Sequence, residues 1–168
     1  MLAWILVVVG VLCRFLPHVP NVTHVAAIAL FAAAHLPNRR LAIIVPLSLM
    51  ITSDLFLGMH NTVIFTWGSV FLISLIGIAM RQTRTITTVL AGSLFSSLVF
   101  FVVTNFGVWM AGWYPQTLQG LQACFIAAIP FFRYFLAGTL VSSIVLFGSY
   151  ELAARLVKGT RLETALLK

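Results

Sequence analysis

The stretch that decides the fold is residues 63–108, VIFTWGSVFLISLIGIAMRQTRTITTVLAGSLFSSLVFFVVTNFGV, in which two long apolar runs flank a short basic connection. Neither run contains a charged residue, and Arg81 and Arg84 lie between them. Each run has about the 20 residues that a transmembrane helix needs. Because cytoplasmic loops are rich in Lys and Arg, the pattern predicts two membrane helices joined by a cytoplasmic turn.

The composition of the whole chain agrees with a membrane protein. Of its 168 residues, 61% are apolar and 8% are charged, and the mean hydropathy is +1.10. Soluble domains have roughly a quarter of their residues charged, so a soluble globular domain, a disordered tail and a large aqueous catalytic domain are all excluded. The net charge is +7, but the basic residues are dispersed, and nucleic acid is therefore not an expected partner.

Working outward from residues 63–108, the sequence predicts one all-α, polytopic membrane domain covering residues 1–168. Six transmembrane helices are expected at about 1–16, 22–36, 41–57, 63–80, 86–108 and 131–157, with a long outer connection at 109–130. The first run lacks a basic leader and a small-residue cleavage site, so we interpret it as a retained helix rather than a signal peptide. Pro46 is not expected to divide the third span, because neighbouring helices can satisfy the carbonyl that it frees.

The basic residues occupy alternate connections, which predicts the orientation. Arg39 and Arg40 precede span three, Arg81 and Arg84 precede span five, and a basic tail follows span six, whereas the other connections contain no Lys or Arg. The positive-inside rule then places both termini in the cytoplasm. We expect a multi-pass protein of the bacterial inner membrane, with membrane lipid as its surroundings.

Three charged residues remain near the outer ends of the spans: Arg14, Asp54 and Arg133. A charge at the centre of a membrane helix costs roughly 2.5–3.5 kcal/mol on insertion scales, so such residues tend to pair or to line a wet cavity. Polar and aromatic residues of the outer connections accompany them, which predicts an outward-facing pocket for a small molecule. The candidate substrate-binding residues are Arg14, His18, Asn21, Asp54, His60, Asn105, Trp109, Tyr114 and Arg133.

Each of these residues also has a structural interpretation. Arg14 can extend to the outer headgroups, and Asp54 can pair with Arg14 or Arg133 without touching a ligand. Trp109 and Tyr114 can belong to the aromatic belt of the membrane interface. The histidine spacing matches no closed metal site, and there is no HExxH, GxSxG or paired-carboxylate motif, so neither a metal, a cofactor nor an enzymatic activity is expected.

The second span has a face of small residues, Ala26, Ala29 and Ala33. Small residues allow two membrane helices to approach closely. This face can pack against another span of the same chain, which is the favoured interpretation, or it can be a docking face for a partner subunit, and the sequence does not separate the two.

Five short motifs occur in an order that resembles an uncharacterised family of small bacterial inner-membrane proteins. They are Arg14-Phe15-Leu16-Pro17-His18-Val19-Pro20-Asn21-Val22-Thr23, Ser53-Asp54-Leu55-Phe56-Leu57-Gly58, Thr104-Asn105-Phe106-Gly107-Val108-Trp109, Tyr114-Pro115-Gln116-Thr117 and Ala128-Ile129-Pro130-Phe131-Phe132. That family is in turn similar to the substrate-binding S components of energy-coupling factor (ECF) vitamin transporters.

The resemblance implies a six-helix protein that binds a vitamin at the outer side and docks on a separate transmembrane coupling subunit with ATPases. It implies that Arg14 and Asp54 set the polarity of the pocket floor. It also implies that Asn105 unwinds or caps the end of span five, and that Trp109 stacks on the ligand. The leading hypothesis is therefore binding and uptake of a vitamin-like or precursor molecule. The alternative is a structural or assembly subunit of a cell-envelope membrane complex.

Overall fold

The computed structural model describes residues 1–14 and 24–167, apart from the side chains of Cys13 and Arg14, and this part of the chain contains helices and no strands. The helices are α1 (Leu2–Arg14), α2 (Val25–His35), α3 (Arg39–Leu57), α4 (Val63–Ala79), α5 (Ile86–Met110), α6 (Leu118–Val157) and α7 (Leu162–Leu167). A 3-10 turn, Met80–Gln82, extends α4.

Four of these helices are long and apolar enough to cross a membrane: α3, α4 with its 3-10 extension, α5 and α6. The all-α membrane class is therefore confirmed. Pro46 lies inside an unbroken α3, as predicted. Helices α1 and α2 are apolar but have only 13 and 11 residues. At 1.5 Å per residue they reach roughly 20 and 16 Å, less than the hydrocarbon thickness of about 30 Å.

Helix α6 begins at Leu118 and has 40 residues, so the predicted long outer connection at 109–130 is wrong. The hydroxyl of Thr117 accepts a hydrogen bond from the backbone N–H of Gly120 at 3.1 Å and caps the new start. Pro130 lies inside the helix. Forty residues of helix measure roughly 60 Å, which exceeds even the full bilayer thickness of about 40–45 Å. The true connection between α5 and α6 is the short segment 111–117.

Helix α2 lies at the centre of the bundle, because every residue from Val25 to Ala34 is buried. On α4, Gly77 approaches it so closely that a Cβ atom at Gly77 would lie 2.6 Å from the Cβ of Ala33 and 2.6 Å from the carbonyl oxygen of Leu30. Ala33 therefore faces α4 within the same chain.

This packing corrects the predicted docking role of Ala26, Ala29 and Ala33. All three are buried by the chain's own helices and present no surface to another subunit. Their small size serves close helix approach, but the partner is internal.

Arg81 joins the α4–α5 connection to the end of α2. Its Nε donates to the carbonyl of Ala33 at 2.9 Å, and its Nη2 donates to the carbonyls of Leu36 at 2.8 Å and Asn38 at 3.2 Å. The last carbonyls of a helix have no partner within the helix, so this guanidinium caps α2 from outside. The α2–α3 and α4–α5 connections consequently lie at the same end of the bundle.

The start of α1 and the last turn of α7 meet near that end as well. Arg84 donates to the carbonyl of Ala34 at 3.3 Å, and the amino group of Met1 donates to the carbonyl of Leu166 at 3.1 Å. We call this the basic end. It unites connections that the charge alternation had predicted to share one side. The opposite end carries the turns at 58–62 and 111–117.

Candidate binding site

Asp54 is buried in α3, with 3% of its surface exposed. The indole Nε1 of Trp67 on α4 donates a hydrogen bond to its Oδ2 at 2.9 Å. A carboxylate inside a membrane helix is costly unless polar groups surround it, and this bond supplies one such group. The predicted substrate-binding residue Asp54 thus lies between α3 and α4, where its carboxylate accepts a structural hydrogen bond.

A cavity of about 210 Å³ lies between α5 and α6. Its wall is mainly phenylalanine: Phe100 stacks on Phe135 with ring centroids 4.4 Å apart, and Phe101 lies 4.7 Å from Phe132. We call it the aromatic cavity. The full lining consists of Phe100, Phe101, Thr104, Asn105, Ala128, Phe131, Phe132 and Phe135.

Asn105 contributes the amide group of the aromatic cavity. Its Nδ2 donates to the carbonyl of Phe101 at 2.7 Å, and the hydrogen bonds described for this part of the chain do not use its Oδ1. The Oδ1 atom can therefore accept a hydrogen bond from a ligand, which contributes about 0.5–1.5 kcal/mol. Because α5 continues without a break to Met110, the predicted role of Asn105 in unwinding or capping the helix end is wrong.

Trp109 fastens the 111–117 turn to α5. Its indole Nε1 donates to the carbonyl of Pro115 at 2.9 Å, and Gln116 donates in return to the carbonyl of Trp109. The nearest ring described beside it is Phe106, at 5.6 Å. Tyr114 is half-buried in the same turn. Neither aromatic residue lines the aromatic cavity.

The remaining predicted residues lie apart from the aromatic cavity or outside the described residues. His60 is exposed in the 58–62 turn, with its Nδ1 2.9 Å from the hydroxyl of Thr62. Arg133 is exposed on α6 and does not line the cavity, although it follows Phe132 directly. The side chain of Arg14 is not described, and His18 and Asn21 lie outside the described residues.

Comparison with known proteins gives one result. Residues 1–162 match a family described as a family of unknown function. The chain belongs to the DUF6580 family. No curated protein and no solved structure matches it. The matched range spans α1 to the first residue of α7, so it includes the aromatic cavity and the α2–α3 and α4–α5 connections of this DUF6580 protein.

The sequence prediction missed the phenylalanines that form the site. Within an apolar span, a Phe that lines a cavity cannot be distinguished by hydropathy from a Phe that faces lipid. The available signal was the spacing of Phe131, Phe132 and Phe135 on α6, which places them on one helical face opposite the Phe100–Phe101 pair of α5. The prediction also ended the outer connection at Pro130, which concealed that these residues lie well inside a helix.

His24, which precedes α2, contacts α6 in this DUF6580 protein. Its Nδ1 lies 2.6 Å from the hydroxyl of Ser142 on α6, so the start of α2 is joined to α6 by a polar contact between apolar helices. An apolar cavity of about 340 Å³ lies beside this contact, between α1, α2 and α6. No group of three His, Cys, Asp or Glu residues that could hold a metal is found in the residues that the structure describes.

Proposed function

We propose that this DUF6580 protein binds a small vitamin-like molecule or vitamin precursor in the aromatic cavity and serves its uptake across the bacterial inner membrane. The aromatic cavity is the observation that carries the proposal. Small-molecule sites are mostly apolar and aromatic, with a few polar groups that orient the ligand. Here five Phe side chains supply the apolar walls, and the amide of Asn105 supplies the orienting group.

The size of the aromatic cavity limits the ligand. Pockets for drug-sized ligands measure roughly 300–1,000 Å³, whereas this one measures about 210 Å³. A single planar ring system with one hydrogen-bond donor fits these dimensions better than a complete vitamin with a long side chain. The substrate class is therefore a small heterocycle that can stack between phenylalanine rings and donate to Asn105 Oδ1.

The proposed uptake requires an orientation and an energy source. In our proposal the chain crosses the membrane six times, α1 and α2 counting as one span each, and the basic end is cytoplasmic. Asn105 is then about 7 Å from the outer end of α5 at 1.5 Å per residue, which makes the aromatic cavity accessible from outside. Because residues 1–168 contain no GxxxxGK[ST] loop, ATP-driven uptake would depend on a separate transmembrane coupling subunit and ATPases, as in the S components that the sequence resembles.

A binding experiment tests the proposal directly. The purified protein in lipid nanodiscs is screened by native mass spectrometry and equilibrium dialysis against a panel of water-soluble vitamins and their heterocyclic precursors. We expect at least one planar member to bind, and Asn105→Ala to weaken it by about 5- to 150-fold, because one buried hydrogen bond is left unmade at a cost of roughly 1–3 kcal/mol. The matched control is Asn61→Ala in the exposed 58–62 turn, which should bind like the unmodified protein.

Either of two outcomes contradicts the proposal: no panel member binds, or Asn105→Ala and Asn61→Ala bind equally well. The alternative function is a structural or assembly subunit of a cell-envelope membrane complex. The alanine face of α2 is buried within the chain, so a coupling subunit or an envelope partner would have to dock on another surface.

A further inference from the structure

Another cavity lies at the basic end, where the start of α5 meets the last third of α6. It measures about 430 Å³. Three charged side chains, Arg84, Glu151 and Arg155, form its rim, and apolar side chains that include Val89, Ile144 and Phe147 form its floor. We call it the inner crevice. It is separate from the aromatic cavity, with which it shares no lining residue.

The rim of the inner crevice has an excess of one positive charge. Arg155 Nε donates to Glu151 Oε1 at 2.9 Å, which leaves the two terminal nitrogens of Arg155 available. Arg84 uses one terminal nitrogen, Nη1, for the carbonyl of Ala34 at 3.3 Å and keeps the rest of its fork. Two guanidinium groups against one carboxylate give a net charge of +1 at the rim. Guanidinium groups are the side chains best suited to hold phosphate oxygens.

The first residues of α5 add to this positive rim. Thr85, which also lines the crevice, caps the helix by accepting a hydrogen bond from the backbone N–H of Thr88 at 3.3 Å. The N-terminus of a helix carries a partial positive charge and favours anions. Arg81, three positions before Arg84 in the same connection, adds a further positive charge at this end. The inner crevice thus combines an apolar floor with an anion-attracting rim.

We propose that the inner crevice binds an anionic phospholipid. Its phosphodiester headgroup contacts Arg84 and Arg155, and one acyl chain lies along Val89, Ile144 and Phe147. The apolar floor favours a lipid over a soluble phosphate. Ile144 is 47% exposed on a helix of membrane-spanning length, and an acyl chain of the bilayer can cover this surface. Basic pockets between membrane helices on the cytoplasmic side bind anionic headgroups by this arrangement.

Headgroup binding at Arg84 should also stabilise the end of α2, the buried central helix. The same guanidinium contacts the carbonyl of Ala34 at the end of α2, so a bound phosphate orients the group that helps to cap the buried helix. Because ligands that bind only the folded state stabilise it, anionic lipid should raise the stability of the protein more than zwitterionic lipid does.

The test is a lipid titration of the full-length protein in detergent, followed by native mass spectrometry. Phosphatidylglycerol, phosphatidylcholine and inorganic phosphate are the three probes. We expect phosphatidylglycerol to bind preferentially. Arg155→Gln should lower its affinity about fivefold, the effect of roughly one kcal/mol per basic residue at a membrane surface. Glu151→Gln should raise its affinity by a similar factor, because the rim charge rises from +1 to +2.

Two matched controls separate the inner crevice from the net charge of the protein. Arg161→Gln and Glu163→Gln make the same charge changes in the segment after α6, away from the crevice lining, and both should leave the affinity for phosphatidylglycerol unchanged. Neither member of the Glu151–Arg155 pair is buried, since their side chains are 61% and 75% exposed, so loss of folding does not complicate these variants.

The proposal is overturned if phosphatidylcholine binds as well as phosphatidylglycerol, or if the control variants change binding as much as the crevice variants do. Binding of inorganic phosphate with the same dependence on Arg155 and no preference for phosphatidylglycerol would also overturn it, in favour of a soluble anion. The result is independent of the Asn105 experiment, since the two cavities share no residue.

Discussion

The indole nitrogen of Trp67 donates a 2.9 Å hydrogen bond to the carboxylate of Asp54 and thereby joins α4 to α3 inside the apolar bundle. The two residues are 13 positions apart in the chain, on either side of the 58–62 turn. Hydrogen bonds to charged groups contribute roughly 1.5–3 kcal/mol, and a carboxylate in a membrane helix requires such donors.

Trp67→Phe should destabilise the protein by about 1.5–3 kcal/mol, because the Asp54 carboxylate loses a donor while an aromatic ring is retained. Unfolding in SDS–detergent mixtures, followed by circular dichroism, measures the loss. The control is Trp113→Phe, since Trp113 is exposed and its change should stay within about 0.5 kcal/mol. In a double-mutant cycle, Asp54→Ala and Trp67→Phe should cost less together than the sum of their separate effects; strict additivity would show that the bond contributes nothing.

Gly77→Ala should be destabilising by about 1–3 kcal/mol, because overpacking at a tight contact forces neighbouring groups apart. The new methyl group would lie 2.6 Å from both Ala33 Cβ and the carbonyl oxygen of Leu30. Gly68→Ala on the same helix is the matched control. Nothing lies within 4 Å of a Cβ at Gly68, and Ala is a better helix former, so this variant should be neutral or more stable. Equal melting temperatures for the two variants would contradict the close approach of α2 and α4.

Arg81→Gln should destabilise the fold by about 2–3 kcal/mol, since three carbonyl oxygens in the last turn of α2 and in the α2–α3 connection lose a charged donor. Arg81→Lys should recover only part of the loss, because an ammonium group cannot reproduce the planar fork of a guanidinium. Arg40→Gln removes the same charge from an exposed position and serves as the control. If Arg81→Gln and Arg40→Gln unfold at the same SDS fraction, Arg81 acts only as an orientation signal.

Cysteine labelling tests the proposed orientation. In a background with Cys13 and Cys124 replaced by alanine, a cysteine at His60 should react with a membrane-impermeant maleimide in intact cells, and a cysteine at Thr83 should react only after permeabilisation. The physical reason is that Thr83 belongs to the arginine-rich connection, which the positive-inside rule keeps in the cytoplasm. Labelling of Thr83→Cys in intact cells, with His60→Cys protected, would reverse the proposed orientation.

The sequence predicted the middle of the bundle closely and α6 poorly, for a physical reason. Spans three, four and five were expected at 41–57, 63–80 and 86–108 and occur as Arg39–Leu57, Val63–Ala79 and Ile86–Met110, because charged or turn-forming residues bound each apolar run. Between Trp109 and Pro130 no charge marks a boundary, so no charged residue fixes where span six begins. In a membrane helix, proline is tolerated wherever neighbouring groups satisfy the freed carbonyl, so Pro130 marks no boundary.

Some residues of the candidate site could be predicted from the sequence and others could not. A polar role for Asn105 could be predicted, because an amide in an apolar run is unusual. The phenylalanine wall could not, because it depends on which face of α5 meets which face of α6. Likewise, the choice between internal packing and partner docking for Ala26, Ala29 and Ala33 depends on whether another helix of the same chain lies against them.

By itself, the sequence determined that this is an all-α membrane protein, that its arginine-bearing connections share one end, and where three of its long helices lie. These properties follow from hydropathy and charge, which each residue carries regardless of its neighbours. Only the tertiary structure decided that α2 is the buried centre, that Arg81 caps it, and that Phe100, Phe135 and Asn105 surround one cavity. Those properties are relations between side chains far apart in sequence. In an apolar environment they are set by close packing and by the need to satisfy every polar group, which hydropathy does not record.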